Sequence, residues 1–407
     1  MNFKFVHAAD LHLDSPLRGV KADGPLRALL SGSTFAALGR LVDLCLRERA
    51  DFLLLAGDLF DAKDRSVRAR LALRDALARL EGAGILTFVV HGNHDPLVPA
   101  AGALKLPSSV KVFGTAWEEV PVLREGAELC RIQGVSYGQE RVTEDLSRHF
   151  RRTSPVFTVG LLHANVGSHA SHAAYAPCSL ADLAERDLDY WALGHVHTRA
   201  EHRLSSGGVA VYPGNLQGRH VLETGARGCV IVEVAEGRCQ TRFAPLDVVR
   251  WHRLELSIRD IPTVDGVLDA LEACLPDSEQ EALTAHAVRV VLVGRGPLHS
   301  ELQDADSLAQ LSEHLATSLC RRPVPVVLEL LEDRTEPTLD FAELEARGGL
   351  AAEVIGAARD DRNWTGEVLK PVESALRKAG LPPLGEVPSE LFNDAMTRAL
   401  ELLVGEG

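Results

Sequence analysis

Five short apolar runs in the first 200 residues end on the same kinds of polar side chain. The runs are FKFVHAAD, DFLLLAGD, ILTFVVHGNHD, VFTVGLLHA and YWALGHVH, at 3–10, 51–58, 85–95, 156–164 and 190–197. Such short, nearly continuous apolar runs are typical of strands buried on both faces of a sheet, and helix-like segments separate several of them. Residues 1–250 therefore predict α/β layers, either helix–sheet–helix or the two-sheet version, helix–sheet–sheet–helix.

The ends of these runs carry potential metal ligands: Asp10, His12, Asp58, Asn93, His163, His195 and His197. In an open α/β sheet, ligands collect outside the carboxyl ends of the strands. Seven candidates are too many for one ion. If one carboxylate bridges, they suit two ions about 3.5–4 Å apart, the arrangement that clamps both oxygens of a phosphoryl displacement. Carboxylate, amide oxygen and imidazole without thiolate favour Mn²⁺, our first choice, or Fe²⁺, Mg²⁺ or Zn²⁺.

Spacing and composition add to this prediction. Within Asp10-x-His12 and His195-x-His197, an extended backbone would point both side chains to the same side. The seven cysteines form no C-x-x-C pair, which argues against a cysteine zinc site. The beginning of the chain has no signal-peptide pattern and no apolar run is long enough to span a bilayer, so we expect a cytoplasmic protein without membrane contact.

The charge pattern divides the chain. Basic and acidic residues nearly balance in residues 1–250, so the net charge of −14 arises from the remainder. Beyond Trp251, RLELSI, VRVVLVG and VPVVLELL predict strands with helices between them. From Pro337 onward the pattern is helical, and LFNDAMTRALELL (391–403) has one apolar face. We predict an α/β domain at 1–248, a smaller α+β capping domain at 249–335 and a helical C-terminal region at 336–407.

Together these motifs resemble those of the calcineurin-like metallophosphoesterase family. HAADLHLDSPL, AGDLFD, HGNHDP, LGHVH and YPGNLQGRH resemble its DNA-repair branch, the SbcD-like nucleases, and in particular the YhaO subgroup. The resemblance covers residues 1 to about 235 and is looser beyond. It implies a helix–sheet–sheet–helix domain and two metal ions. The first would be held by Asp10, His12, Asp58 and His197, and the second by Asp58, Asn93, His163 and His195, with Asp58 as the bridge.

The resemblance also implies two catalytic residues. His94 would be a non-ligand histidine that faces the scissile phosphate and protonates or stabilises the leaving oxygen. Asp95 would hold the His94 ring in the required tautomer and orientation. A water or hydroxide between the ions, its pKa lowered by their charge, would attack phosphorus in line.

One position departs from the family pattern. In the family's nucleases, a histidine that contacts DNA phosphate follows GDLF, whereas this chain has Asp61 there. A carboxylate repels phosphate. We expect Asp61 either to contact the site residues from outside or to serve as a turn or helix N-cap residue.

Candidate substrate contacts are Arg65 and Arg68, on a basic helix, and Arg219 and His220, after a turn that the fold should return toward the metals. Each could contact phosphate. The alternatives are a solvated helix face for the first pair and a structural role for the second.

The motifs favour a metal-dependent phosphodiesterase, and the resemblance implies a DNA nuclease, exonuclease or endonuclease, acting in repair. The resemblance further implies DNA as a partner, docking of the C-terminal helices onto an SMC-like coiled-coil ATPase, and a homodimer. Two alternatives stay open: a phosphoesterase acting on a nucleotide, cyclic nucleotide or phosphoprotein, and a non-catalytic regulatory subunit of such an ATPase. The second requires no catalytic His94.

Overall fold

The computed structural model describes residues 2–20, 24–61, 66–97, 105–167, 175–275, 283–336 and 341–359, together with positions 338, 377 and 400. The predicted helix 391–403, apart from position 400, lies outside these residues, as does Arg65. None of the described helices is long and apolar enough to cross a membrane.

The first sheet contains six strands: β1 (Phe3–Ala8), β2 (Phe52–Ala56), β3 (Leu86–Val90), β4 (Val110–Val112), β11 (Gly228–Ala235) and β12 (Arg238–Pro245). Their order is β12-β11-β1-β2-β3-β4. β1 to β4 are parallel, whereas β11 and β12 continue the sheet in antiparallel pairs. β1, β2 and β3 are almost wholly buried, as expected for strands covered on both faces, whereas the short edge strand β4 is half-buried.

The second sheet also contains six strands: β5 (Glu118–Arg124), β6 (Ala127–Gly134), β7 (Thr158–His163), β8 (Tyr190–Gly194), β9 (Ala200–Arg203) and β10 (Val209–Tyr212). Their order is β5-β6-β7-β8-β10-β9. The four central strands are parallel, and β5 and β9 close the edges in antiparallel pairs.

Helices cover the outer faces. α1 (Gly24–Ser31), α2 (Ser33–Glu48) and α3 (Val67–Gly82) belong to the first half of the chain, and a short α4 (Leu180–Glu185) and a 3₁₀ turn (Leu146–His149) to the second. One buried cluster fills the space between the two sheets, including Phe5, Phe52 and Tyr190. A second cluster packs α2 and α3 on the first sheet. A third lies on the outer face of the second sheet. These clusters confirm the predicted helix–sheet–sheet–helix layers.

A third, smaller sheet follows, with strands β13 (Val249–Ser257), β14 (Ala285–Arg295) and β15 (Val326–Glu336) in that order. Its strands are parallel, because backbone bonds join the start of β14 to the starts of both neighbours: Thr284 N donates to Val248 O, and His286 N to Pro325 O. α5 (Val264–Cys274) lies between the first two strands in sequence, and α6 (His299–Leu302) and α7 (Ala305–Cys320) lie between the last two. Such crossovers are what parallel pairing requires.

The chain separates into two compact units. The first consists of residues 1–256, 264–292 and 304–333, and includes both large sheets. The second consists of residues 257–263, 293–303 and 334–407, and includes α8 (Phe341–Arg347) and α9 (Gly349–Arg359). Within the first unit, Trp251 is fully buried in a cluster that joins β13 to Leu30 and Val221.

Candidate metal centre

The carboxyl ends of strands from both large sheets meet at one place. β1, β2 and β3 lead into Asp10, Asp58 and Asn93, while β7 ends at His163 and β8 leads into His195. The backbone N–H of Asp10 donates to Gly57 O at 3.1 Å, which joins the first two loops. The N–H of His195 donates to Asp10 Oδ1 at 3.1 Å, which joins the two sheets.

The backbone at the candidate ligands is unusual. Asp10, His12, Asp58 and His195 have φ values of 52°, 40°, 50° and 98°. Positive φ is uncommon outside glycine, and its concentration here indicates that the surrounding structure imposes it. The sequence argument assumed an extended backbone in Asp10-x-His12 and His195-x-His197. That assumption is wrong, because three of these four residues have left-handed or related conformations.

The first ligand group contains Asp10, His12, Asp58 and His197. Asp10, His12 and His197 each offer a ligand atom, and these atoms lie within 4.8 Å of one another. Nε2 of His12 lies 3.3 Å from Nε2 of His197 and 4.0 Å from Asp58 Oδ2. Four donor atoms from three different loops thus surround one small space.

The second ligand group contains Asp58, Asn93, His163 and His195. Nε2 of His163 lies 3.0 Å from Asn93 Oδ1 and 3.4 Å from Asp58 Oδ2. Nδ1 of His195 lies 3.2 Å from the same Asn93 oxygen. Asp58 therefore belongs to both groups, the position that a bridging carboxylate would take. Asp10 also lies within reach of this group, since its ligand atom lies within 4.8 Å of those of Asp58 and His163.

The hydrogen bonds on the far side of the rings show that both groups suit cations. Nδ1 of His12 contacts Asp61 Oδ1 at 2.8 Å, Nδ1 of His197 contacts Glu223 Oε1 at 2.7 Å, and Nδ1 of His163 contacts Ala56 O at 2.9 Å. These partners only accept, so Nδ1 carries a proton, and a ring protonated at Nδ1 alone presents a lone pair at Nε2. The lone pairs then face one another or the oxygens of Asp58 and Asn93. Two divalent ions would turn these repulsive contacts into bonds.

The pKa values of the buried carboxylates also indicate that the two ligand groups suit cations. Burial, followed by the neighbouring charge of Asp58, raises the pKa of Asp10 well above its ordinary value. Burial also raises the pKa of Asp58. Burial and then the charge of Arg219 lower the pKa of His12, which keeps this ring neutral. Two buried acids beside neutral imidazoles need positive charge nearby to remain ionised, and divalent ions would supply it.

His94 is held by Asp61 and not by Asp95. Nδ1 of His94 contacts Asp61 Oδ1 at 2.8 Å. The predicted role of Asp95 is wrong: its carboxylate accepts from the backbone N–H groups of Leu59 and Gly92 and contacts Nδ1 of His91 at 3.1 Å. Asp95 thereby ties the second and third loops together. Adjacent residues in a tight turn point in different directions, so Asp95 does not take the role beside His94 that the resemblance implied.

Asp61 lies outside the two ligand groups and contacts the Nδ1 atoms of His12 and His94, which is one of the two roles expected for it. Its Oδ1 accepts from both His12 and His94, while Oδ2 accepts from Ser15 Oγ and, at 3.1 Å, from Arg219. Burial alone would raise the pKa of Asp61, but these hydrogen bonds lower it below its ordinary value. The N-cap of α3 is Ser66, whose hydroxyl accepts from Ala69 N.

Glu223 is a site residue that sequence reasoning missed. It is buried, and besides His197 it accepts from Asn215 Nδ2 at 2.9 Å and from the backbone N–H of Arg219 at 2.6 Å. The only signal was a carboxylate in the RHVLETG stretch, whose return toward the metals was expected from the resemblance.

The predicted substrate contacts fall in different places. Arg68 lies over the Phe35 ring, 4.4 Å from its centroid, with Asp14 at 3.7 Å. The Arg219 side chain is only 10% exposed and is engaged with Asp61. His220 contacts Glu223 at 3.2 Å. Arg219 and His220 therefore lie next to the centre but bind carboxylates, which supports the structural alternative for both.

The fold and the two ligand groups define a dinuclear metallophosphoesterase. The calcineurin-like phosphoesterase profile matches residues 3–199, and that of the metallophosphoesterase YhaO middle domain matches residues 251–336. An uncharacterized metallophosphoesterase YhaO of Bacillus subtilis is 33% identical over 377 residues, 91% of this chain and 90% of that one. The chain belongs to the calcineurin-like phosphoesterase family and, within it, to the YhaO metallophosphoesterases.

More distant relatives cover less of the chain. A DNA double-strand break repair protein Mre11 of Thermoplasma acidophilum is 27% identical over 232 residues, 53% of this chain and 60% of that one. The crystal structure of a dimetal phosphatase from Danio rerio covers 60% of this chain and 96% of that one at 14% identity, with a TM-score of 0.39.

Proposed function

We propose that this chain is a metal-dependent phosphodiesterase that hydrolyses DNA. The observation that carries the proposal is the placement of His94. Its side chain is 47% exposed, its Nδ1 contacts Asp61, and its backbone N–H donates to Asp58 Oδ1 at 2.9 Å. The ring thus stands beside the carboxylate shared by both ligand groups while remaining open to a substrate. A purely structural metal site needs no such group, whereas a general acid must reach the leaving oxygen.

In the proposed reaction, the metal ions and the side chains of the site have different roles. Two divalent ions, Mn²⁺ by preference, would supply the charge that activates a water and neutralises the phosphate. Asp61 accepts the Nδ1 proton of His94 and thereby fixes the direction of the ring. The same hydrogen bond raises the pKa of His94 and so favours the doubly protonated imidazolium that a general acid requires. His94 can then protonate the leaving oxygen, a contribution of roughly 10²–10⁴-fold in rate.

Two considerations support DNA as the substrate. The Mre11 relatives, named for DNA double-strand break repair, match about half of this chain. The motifs also resemble the SbcD-like nucleases more than other phosphoesterases. The proposal extends to a homodimer and to an SMC-like ATPase as partner, both on the strength of that resemblance.

The first test incubates the purified protein with Mn²⁺ and linear DNA labelled separately at the 5′ and 3′ ends. Asp58→Ala, which removes the shared ligand, and His94→Gln, which keeps all seven ligands, are assayed in parallel. We expect cleavage that depends on Mn²⁺ and is lost in both variants, with the product ladder giving the polarity. If the wild-type protein leaves the DNA intact and also fails to hydrolyse a small aromatic phosphodiester, the proposal is refuted and a non-catalytic subunit is favoured.

One observation favours a second candidate. Asp61 stands where the family's nucleases have a phosphate-binding histidine, and the neighbouring Arg219 is already engaged by carboxylates. A nucleotide or cyclic nucleotide requires fewer backbone contacts than DNA. Hydrolysis of such small phosphoesters, with DNA left intact and Asp58→Ala inactive, would establish this candidate.

A further inference from the structure

Arg219, in the loop after β10, lies between two carboxylates, Glu223 of the same loop and Asp61 of the loop after β2, and we call these three side chains the Arg219 network. Arg219 NH1 donates to Asp61 Oδ2 at 3.1 Å, and NH2 lies 3.7 Å from Glu223 Oε1. Each carboxylate in turn accepts the Nδ1 proton of one histidine of the first ligand group, His12 or His197. One guanidinium thus connects the outer partners of both imidazoles.

We propose that Arg219 is a positioning residue of the metal centre. Through Asp61 and Glu223 it fixes His12 and His197 as Nε2 donors to a single ion. The proposal concerns metal binding by the family's dinuclear site and does not depend on DNA being the substrate.

Burial and charge explain why an arginine is needed. The side chains of Asp61 and Glu223 are 14% and 4% exposed, and without a cation between them they would repel each other. Burial alone would raise the pKa of Glu223, but hydrogen bonds from His197 and His220 and the charge of Arg219 lower it below its ordinary value. A guanidinium keeps its charge when buried and offers several N–H groups in one plane, so it can serve two carboxylates at once.

Accessibility argues against a substrate contact for the same residue. Arg219 is buried, and two charged partners engage the ends of its guanidinium. A phosphate that bound Arg219 would have to compete with Asp61 for the NH1 group and reach a side chain that is only 10% exposed. The neighbouring Leu222, by contrast, is 83% exposed. The loop therefore directs its arginine inward, toward the metal ligands.

The loop is itself fixed to the start of the smaller sheet. Gln217 Nε2 donates to Val249 O at 2.6 Å, and Trp251 Nε1 donates to Gly218 O at 2.9 Å. A Cβ at Gly218 would lie 2.8 Å from Glu223 O and 2.9 Å from Trp251, so the loop approaches both closely. The position of Arg219 is thus determined by tertiary contacts of the loop on both sides.

The test measures Mn²⁺ binding to the metal-free full-length protein by calorimetric titration, with electron paramagnetic resonance to distinguish a coupled Mn²⁺ pair from single ions. The variant is Arg219→Gln. Arg250→Gln is the control, because Arg250 also pairs with a buried carboxylate, that of Asp247 at 2.8 and 3.0 Å, and among the described residues this pair contacts none of the seven candidate ligands. Loss of an outer partner of a ligand typically weakens metal binding 10–100-fold.

We expect Arg219→Gln to weaken one of two Mn²⁺ sites by about 10-fold, the lower end of that range because Asp61 and Glu223 still contact the imidazoles, to leave the other nearly unchanged, and to lose the coupled-pair signal at limiting Mn²⁺. Arg250→Gln should keep both affinities. At saturating Mn²⁺, Arg219→Gln should retain the KM of the wild type for a small phosphodiester.

Three results would overturn the proposal: unchanged affinity at both sites, equal losses in both variants, or unchanged metal binding with a raised KM, which would make Arg219 a phosphate ligand. If Arg219→Gln does not fold, Glu223→Gln is judged by the same criteria, because it breaks the His197 half of the network. If the protein binds two Mn²⁺ ions and Arg219→Gln weakens one of them as expected, but DNA stays intact, the result contradicts DNA as the substrate and leaves this inference standing.

Discussion

Replacing Asp61 by asparagine should impair protonation of the leaving group. The carboxylate accepts four hydrogen bonds, two on each oxygen: His12 and His94 on Oδ1, Ser15 and Arg219 on Oδ2. A carboxamide has one oxygen, so its NH₂ group must face two donors in either orientation. Loss of a hydrogen bond to a charged group costs about 1.5–3 kcal/mol. Applied to the transition state, that range corresponds to roughly a 10–100-fold loss of rate.

The assay compares two methyl phosphodiesters, one with a 4-nitrophenyl and one with a phenyl leaving group, at saturating Mn²⁺. Phenolate is much the stronger base and depends more on a general acid. We expect Asp61→Asn to lose about 10–100-fold in kcat/KM with the phenyl ester and only a few-fold with the nitrophenyl ester. The ratio is independent of the folded fraction, since both substrates meet the same preparation.

Two further readouts separate positioning from general damage. Because Asp61 raises the pKa of His94, Asp61→Asn should move the alkaline fall of kcat to lower pH. At saturating Mn²⁺, where the contact of Asp61 with His12 no longer limits metal occupancy, Asp61→Asn combined with His94→Gln should hydrolyse the phenyl ester no more slowly than His94→Gln alone, since the remaining effect of both changes acts through the His94 ring. Equal losses with the two esters, or additive losses in the double variant, would refute the reasoning.

Three other changes have definite expected outcomes. Asp58→Ala should abolish both bound Mn²⁺ ions and phosphodiesterase activity, and metal analysis finding two ions per chain would contradict the shared-ligand assignment. Gly194→Ala should destabilise the protein by more than about 2 kcal/mol in denaturant unfolding, because a Cβ there overlaps the carbonyl of Ala56, whereas Gly82→Ala, with open space around it, should be nearly neutral. Burial lowers the pKa of His7 to about 3, so this ring resists protonation only in the folded state. The free energy of unfolding should therefore fall by up to about 1.4 kcal/mol per pH unit as the pH drops below 6.5. His7→Gln should remove this contribution to the pH dependence between pH 6 and 5. If the wild type and His7→Gln lose stability equally steeply over that range, His7 does not titrate in this way.

The layers of the fold were predictable because local pattern and burial agree. Each of the five apolar runs contains a strand of the two large sheets, and the strands that precede the ligands are nearly all buried. A strand that is apolar throughout requires cover on both faces, so the helices between the runs had to pack outside the sheets. The convergence of the ligand residues follows from the common direction of the parallel strands.

The outer contacts of the centre were not predictable in the same way. Asp61 and Arg219 lie 158 positions apart, and His197 and Glu223 lie 26 apart in different loops. Such pairs depend on loop conformations that no periodicity encodes. The error over Asp95 has the same origin: in a turn, the direction of a side chain depends on φ and ψ of each residue, and these are set by tertiary contacts.

The loop of residues 213–223 connects the smaller sheet to the candidate metal centre through hydrogen bonds. Its Gln217 accepts from the backbone N–H of Val248 and donates to Val249 O, and Trp251 holds Gly218. The same loop carries Glu223, which orients His197. Only a few buried hydrogen bonds therefore connect the first residues of β13 to the imidazole of the candidate ligand His197. Residues 1–248 supply all seven candidate ligands, but part of their geometry depends on the residues that follow.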